Sequence, residues 1–166
     1  TGKANIIGTS GGALVGINCA LLSPERINRV IADSFEGEYA LDIIAETIDN
    51  ERENSKSDNN MVRFWKENHG KDWEAVVDMD TKAIIKHYKN VKNFFPGKLS
   101  ELKVPVLLTG SLEDEYAEYI SFEENYKKML EKLPDGKMYL FKKGGHPAFI
   151  TAGNEFFQTA KEFFTK

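Results

Sequence analysis

The sequence predicts an α/β fold of three layers, in which helices flank a mostly parallel β-sheet and a helical insertion interrupts the order. Near its start, an apolar run at 4–7, a helix of small and apolar residues at 13–22 and a second apolar run at 27–32 follow one another. This is a βαβ unit, which makes its two strands parallel. The same order returns after residue 102, whereas the stretch 36–100 shows no strand-like alternation.

The composition is that of one soluble globular domain covering residues 1–166, because the chain is 41% hydrophobic and 29% charged. A net charge of -4 without a concentrated basic stretch argues against nucleic acid as a partner. No apolar run approaches the length of a membrane span. The single cysteine, Cys19, is expected to be a small buried apolar residue in a reducing compartment, and we expect a cytoplasmic protein.

The second half of the chain supplies two further strands. The run 103–110 has the composition of a buried strand, and 137–141 is the second. Between them, 122–133 carries apolar residues on one helical face. A last helix is expected over 149–164, with an interruption at Gly153.

The insertion at 36–100 is predicted to consist of short helices. Apolar residues recur with a helical period over 38–48, and the polar stretch 50–60 is expected to be a loop. Two further short helices are expected at 73–77 and 81–88, because an aspartate that can cap a helix precedes each of them.

Gly8-Thr9-Ser10-Gly11-Gly12 has the pattern Gly-x-Ser-x-Gly between a predicted strand and a predicted helix. This context favours a nucleophile elbow over an ordinary glycine-rich turn. In such a tight turn, glycine at 8 and 12 is expected to remove side chains that would collide. Ser10 would then expose its hydroxyl at the edge of the sheet, and the Gly11 amide could donate to a developing oxyanion.

A serine nucleophile needs a base, and a histidine base needs a carboxylate that fixes its tautomer. His146 follows a predicted strand in a Gly-Gly-His-Pro loop and is the candidate base for Ser10. For the acid we favour Asp114, then Glu113, both after the 103–110 strand, and then Asp33 after the preceding strand. These groups can meet because the ends of parallel strands converge on one edge of the sheet.

The other titratable groups are expected to carry no chemistry. His69 and His87 lie in the insertion and are predicted to be solvated or capping residues. No metal site is predicted, since no histidine pair has ligand spacing and Cys19 is isolated. Glu115 is expected to be a solvated charge or a helix cap.

Three stretches together resemble the α/β-hydrolase family. Gly8–Ala13 with Ser23–Ile27 resembles the family's elbow, helix and next strand, and Val104–Gly110 with Asp114 resembles its acid strand. The Gly144–Pro147 stretch resembles its histidine loop.

The resemblance implies a serine hydrolase, esterase-like or lipase-like, that cleaves a carboxylic ester or related acyl bond of a small molecule without a cofactor. It also implies that 36–100 occupies the place of the family's cap, or lid, which shapes the substrate pocket. The alternatives are a non-catalytic hydrolase-fold binding module, an inactive fragment, and a peptidase acting on short peptides.

The sequence departs from the family pattern in two places. The acid of the family often falls three residues after the strand's glycine, which is Glu113 here, so that Asp114 lies one residue further along. The family also places several strands before the elbow, together with a loop that donates the second oxyanion amide. We therefore expect the chain to be a C-terminal portion of the fold, with little activity alone, that pairs with an N-terminal half or self-associates through an open sheet edge.

Overall fold

The computed structural model describes residues 2–95 and 98–165. The polypeptide divides into two compact units. The first, which we call the sheet unit, comprises Thr1–Glu38 and Phe94–Lys166. The second, the helical unit, is Tyr39–Asn93.

The sheet unit is built on four strands that are all parallel and that pair in chain order. These are β1 (Ala4–Thr9), β2 (Ile27–Asp33), β3 (Val106–Ser111) and β4 (Gly136–Phe141). The predicted parallel sheet is confirmed.

The register aligns the carboxyl ends of the four strands. Thr9 of β1 lies beside Asp33 of β2, which in turn lies beside Thr109 of β3. Ser111, the last residue of β3, pairs with Phe141, the last residue of β4. The loops that follow all four strands therefore leave the sheet at one edge, where ligands bind in open parallel sheets.

The helices lie in both units. Their bounds are α1 (Gly11–Leu22), α2 (Asp42–Ser55), α3 (Asn59–His69), α4 (Trp73–Asn90), α5 (Phe122–Leu130), α6 (Ala148–Thr151) and α7 (Gly153–Thr165). The helical unit contains α2, α3 and α4, and the sheet unit contains the other four helices named here.

Helices α1 and α5 cover one face of the sheet. A Cβ atom added at Gly16 of α1 would lie 3.1 Å from Ile6 Cγ2 and 3.5 Å from Val30 Cγ1, so this glycine lets α1 approach the strands closely. On the same face, a Cβ atom at Gly110 of β3 would lie 3.3 Å from the ring of Phe122, the first residue of α5.

Helix α7 covers the opposite face. The strand side chains that point to this face alternate along each strand with those that face α1 and α5, and they meet the apolar stripe of α7 in one buried cluster. Burial of each large side chain contributes about 1.5–3 kcal/mol to stability. The sheet is thus the middle of three layers, as predicted. The members of the cluster are Ile31, Leu107, Phe141, Ala148, Phe156, Ala160 and Phe163.

The outer face of α1 is apolar and exposed. Val15, Cys19 and Leu22 follow one another at helical spacing, and the side of the helix opposite to them packs on the sheet. The prediction that Cys19 is buried is therefore wrong. Ile7 of β1, which lies at one edge of the described sheet, is 44% exposed. The expected pairing through this edge stays a prediction.

The helical unit has longer helices than the sequence predicted. The prediction of a loop at 50–60 is wrong over most of that stretch, because α2 continues to Ser55 and α3 begins at Asn59. The Asp58 carboxylate caps α3 by accepting a hydrogen bond from the Asn60 amide at 2.8 Å.

The two short helices expected near the end of the helical unit form the single helix α4. Asp80, predicted to cap the second of them, lies inside α4 and pairs with Arg52 of α2 at 3.2 Å. The stacked rings of Trp65 and Trp73, 5.5 Å apart, form the core of this unit with Val77. Among the described residues, no helix is long and apolar enough to cross a lipid bilayer.

Candidate active site

Ser10 is the single residue between the end of β1 and the start of α1. Its backbone has φ 53° and ψ -126°, a conformation that non-glycine residues rarely adopt and that is found mainly at functional sites. Two hydrogen bonds hold the turn: the Ser10 amide donates to the Asp33 carbonyl at 2.8 Å, and the Ala13 amide donates to the Ser10 carbonyl at 2.9 Å. Ser10 is exposed at the carboxyl edge of the sheet.

The two outer glycines of the motif have different roles. A Cβ atom at Gly8 would lie 2.1 Å from the Gly12 carbonyl oxygen, so the two backbone segments can approach only when residue 8 is glycine. A Cβ atom at Gly12 would meet nothing within 4 Å in the described structure. The expectation that both glycines prevent a collision is therefore wrong for Gly12.

We predict that Gly8→Ala lowers the free energy of unfolding by on the order of 3 kcal/mol, because the added methyl group cannot avoid a backbone carbonyl. The matched control Gly12→Ala is expected to change it by less than about 1 kcal/mol. Urea unfolding of the two variants and the wild type checks the difference. Equal stabilities of the two variants would contradict the steric account of the turn.

Gly11, the predicted oxyanion donor, is the first residue of α1. The amides of the first helical turn have no carbonyl partner in a preceding turn. They also lie at the positive end of the helix dipole. An anion that forms next to Ser10 would therefore lie near these amides.

Asp114 and His146 are in direct contact. Asp114 Oδ2 lies 2.9 Å from His146 Nδ1, and Asp114 Oδ1 accepts the Tyr116 amide at 2.9 Å. The Asp114 side chain is fully buried in the loop after β3, whereas 20% of the His146 side chain is exposed. The carboxylate favours the tautomer with a proton on Nδ1, which leaves Nε2 as the nitrogen that can accept a proton.

The three candidate acids differ in burial and in the groups that they contact. Glu113 is exposed. Asp33 is fully buried, and its carboxylate oxygens accept hydrogen bonds from Thr9, Thr109 and the amide of Phe149. Burial raises the pKa of the Asp33 carboxyl, although these hydrogen bonds lower it in part. Of the three, Asp114 is the carboxylate that contacts His146.

Glu115 has a contact that the sequence analysis missed. Its Oε2 accepts a hydrogen bond from the His146 amide at 2.5 Å. A Cβ atom at Gly145 would lie 2.5 Å from Glu115 Oε1, so this glycine makes room for the carboxylate. The Tyr116 ring meets the His146 ring edge-on, with centroids 4.9 Å apart. The paired glycines before His146 were the sequence signal for a close approach at this loop.

Glu36 is a second group that the sequence analysis missed. It lies in the loop after β2, at the same edge of the sheet, and is buried. Burial raises the pKa of its carboxyl from 4.5 to about 7, while a hydrogen bond to its own backbone and the charge of His146 lower it in part. The side-chain amide of Asn125 donates a hydrogen bond to the backbone carbonyl of Glu36 at 2.8 Å. The sequence signal that could have pointed to Glu36 was its position three residues after Asp33, just beyond the end of a predicted strand.

The raised pKa of Glu36 makes stability depend on pH. The stability contribution is fully present below about pH 4.5 and is lost as the pH rises through about 7, because the unfolded state then releases a proton that the folded state retains. We expect Glu36→Gln to remove this dependence, which amounts to roughly 3 kcal/mol between pH 4.5 and 8. Urea unfolding across that range is the measurement, and Glu118→Gln, a change to an exposed carboxylate, is the control. Parallel stability curves for wild type and Glu36→Gln would contradict it.

The other two histidines named from the sequence lie in the helical unit. His69 and His87 belong to α3 and α4 of the helical unit. Within residues 2–95 and 98–165, no group of three or more histidine, cysteine, aspartate or glutamate side chains is arranged to hold a metal ion.

Known structures identify the fold. No protein-family model and no curated protein matches the sequence. The structure is similar to a serine hydrolase involved in carbazole degradation (TM-score 0.67, 20% identity, 99% of this chain and 64% of that one). It is also similar to the enol-lactonase from Burkholderia xenovorans (0.64, 16%, 99% and 66%) and to naproxen esterase from Bacillus subtilis (0.60, 18%, 98% and 60%).

The chain has the α/β-hydrolase fold, as the resemblance in its motifs predicted. It spans 64% and 66% of the lengths of the first two of these structures.

Proposed function

We propose that this chain is the catalytic part of a serine hydrolase that cleaves a carboxylic ester or a related acyl bond. Ser10 is the nucleophile, His146 the general base and Asp114 the carboxylate that orients it. The observation that carries the proposal is the 2.9 Å contact between Asp114 Oδ2 and His146 Nδ1 at the sheet edge where the strained Ser10 turn lies. Nucleophilic serine chemistry needs a histidine base that a carboxylate orients.

The reaction follows from the roles of these groups. His146 Nε2 takes the hydroxyl proton as Ser10 Oγ attacks the acyl carbon, and Asp114 stabilises the imidazolium that forms. The Gly11 amide donates to the oxyanion of the tetrahedral intermediate. The imidazolium then gives its proton to the leaving alcohol, which leaves an acyl group on Ser10. Water, activated by His146, attacks the acyl group and releases the acid.

The anchoring of the histidine loop supports this assignment. The amides of Ala148 and Phe149, just after His146, donate to the side chains of Ser34 and Asp33 at the end of β2. The Ser10 amide donates to the carbonyl of that same Asp33. The base and the nucleophile are thereby tied to one strand end.

The helical unit, Tyr39–Asn93, lies within the predicted insertion at 36–100, and we propose that this insertion is the cap over the substrate. Two similar structures are named for the compounds on which they act, an enol-lactone and naproxen esters. Both are small molecules with an acyl–oxygen bond, which is the substrate class we propose here.

Covalent labelling tests the proposal. A fluorophosphonate probe is expected to modify Ser10 in the complete protein, in which the chain is paired with an N-terminal half, because the attack needs an activated serine and an oxyanion donor. Peptide mapping by mass spectrometry gives the position. Labelling should disappear in Ser10→Ala and persist in Ser100→Ala, which removes an exposed hydroxyl. A label on any other serine would refute the assignment.

A further inference from the structure

Asp33 and Ser34, at the end of β2, contact both the nucleophile turn and the histidine loop. We propose that these two residues are positioning residues that hold the Ser10 turn and the His146 loop in one geometry. The inference rests on the function proposed above, and it assigns a role to a buried carboxylate that the reaction itself does not use.

Both oxygens of the Asp33 carboxylate accept hydrogen bonds. Oδ2 accepts from the amide of Phe149 at 2.9 Å and from the Thr9 hydroxyl at 3.0 Å. Oδ1 accepts from the Thr109 hydroxyl at 2.7 Å. Phe149 lies three residues after His146, and Thr9 directly precedes Ser10. One carboxylate therefore links the two chain segments that carry the base and the nucleophile.

The backbone of the same strand end completes the link. The Asp33 carbonyl accepts from the Ser10 amide at 2.8 Å, and the Ser34 amide donates to the Thr109 carbonyl at 2.8 Å. Ser34 Oγ accepts from the Ala148 amide at 2.9 Å. Two consecutive residues thus hold two consecutive amides at the start of α6, the helix that follows the histidine loop.

Burial and strain point to a positioning role for these contacts. Asp33 is 0% exposed and Ser34 is 2% exposed. A buried carboxylate is costly unless hydrogen bonds satisfy it, and Ser34 has φ 50°, a left-handed conformation that favours glycine. Hydrophobic residues at these two positions would avoid the cost of a buried carboxylate, but they would leave the amides of Ala148 and Phe149 without acceptors.

The contacts also separate positioning from catalysis. Asp33 holds the backbone after His146 through Phe149, whereas Asp114 contacts the imidazole ring. The role of Asp33 is therefore to fix where the ring stands. A displacement of about 1 Å of a catalytic group costs on the order of 10²-fold in rate.

The test compares Asp33→Asn, Ser34→Ala and the control Thr109→Val, with kcat corrected for the fraction of Ser10 that a fluorophosphonate titrates. Asp33→Asn and Ser34→Ala are expected to lower kcat by about 10- to 100-fold with KM within threefold of wild type. Thr109→Val removes a hydrogen bond from Asp33 Oδ1 but leaves both loops attached, so its kcat should stay within threefold even where its melting temperature falls.

Proton NMR gives a readout that a purely structural role would not move. The low-field resonance of the His146 Nδ1 proton should broaden in Asp33→Asn and Ser34→Ala and persist in Thr109→Val. Should Asp33→Asn not fold, Ser34→Ala carries the test alone. Wild-type kcat in the variants that fold, or an equal loss in Thr109→Val, would overturn the positioning role. Turnover that survives Ser10→Ala would instead overturn the proposed function.

Discussion

Replacing Ser10 by alanine is expected to lower kcat for p-nitrophenyl ester hydrolysis about 10⁴- to 10⁶-fold. The expected loss is large because, in the proposed mechanism, Ser10 forms the covalent bond to the acyl group. Ser10 is exposed, so removal of its hydroxyl should leave the melting temperature nearly unchanged.

The assay uses the complete protein, in which the chain is paired with the N-terminal half expected above, and Ser100→Ala is the matched control. Residual turnover in Ser10→Ala should not show a burst, because no acyl-enzyme can accumulate. A loss of less than about tenfold would mean that hydrolysis does not pass through Ser10. The covalent part of the mechanism would then be wrong, whatever the Asp114–His146 contact does.

Replacing Asp114 by asparagine is expected to lower kcat about 10⁴-fold while the fold is kept. The amide can accept from the Tyr116 backbone as the carboxylate does, but it favours the wrong tautomer of His146 and does not stabilise the imidazolium. Glu113→Gln is the control, since Glu113 is the neighbouring exposed carboxylate and should keep kcat within threefold.

The measurement is the pH–rate profile of kcat/KM for both variants. If Asp114→Asn stays near wild type and Glu113→Gln loses activity, the acid is one residue earlier than the contact suggests. A loss in Asp33→Asn as large as that in Asp114→Asn would likewise place Asp33 in the reaction and not in a supporting role.

The sheet could be predicted because each strand has a local signal. The apolar runs that became β1 to β4 lie between turn residues, and the short βαβ unit around Ser10 sets their direction. Glycine at position 8 was also predictable, since its reason lies four residues away in the chain, in the carbonyl of Gly12.

The sequence limited the candidates for the catalytic acid to three carboxylates and favoured Asp114, but no local pattern separates Asp114 from Glu113. Glu113 and Asp114 are adjacent, and what separates them is the turn after β3, which buries one side chain and exposes the other. That turn is stabilised by Asp114 itself through the Tyr116 amide. Glu36 escaped notice because its burial depends on partners far along the chain, such as Asn125. Asp80 lies inside α4 and pairs with Arg52 of α2, a partner that no local pattern shows.

The two ends of the helical unit lie side by side. Tyr39 and Asn93 form an antiparallel bridge, the Ala40 amide donates to the Lys92 carbonyl at 2.6 Å, and the Phe94 amide donates to the Glu38 carbonyl at 3.1 Å. Because the two ends are side by side, a tight turn could join Glu38 to Phe94 at small entropic cost. Replacing the helical unit by another segment would therefore leave β1 to β4 and the loops that follow them covalently unchanged.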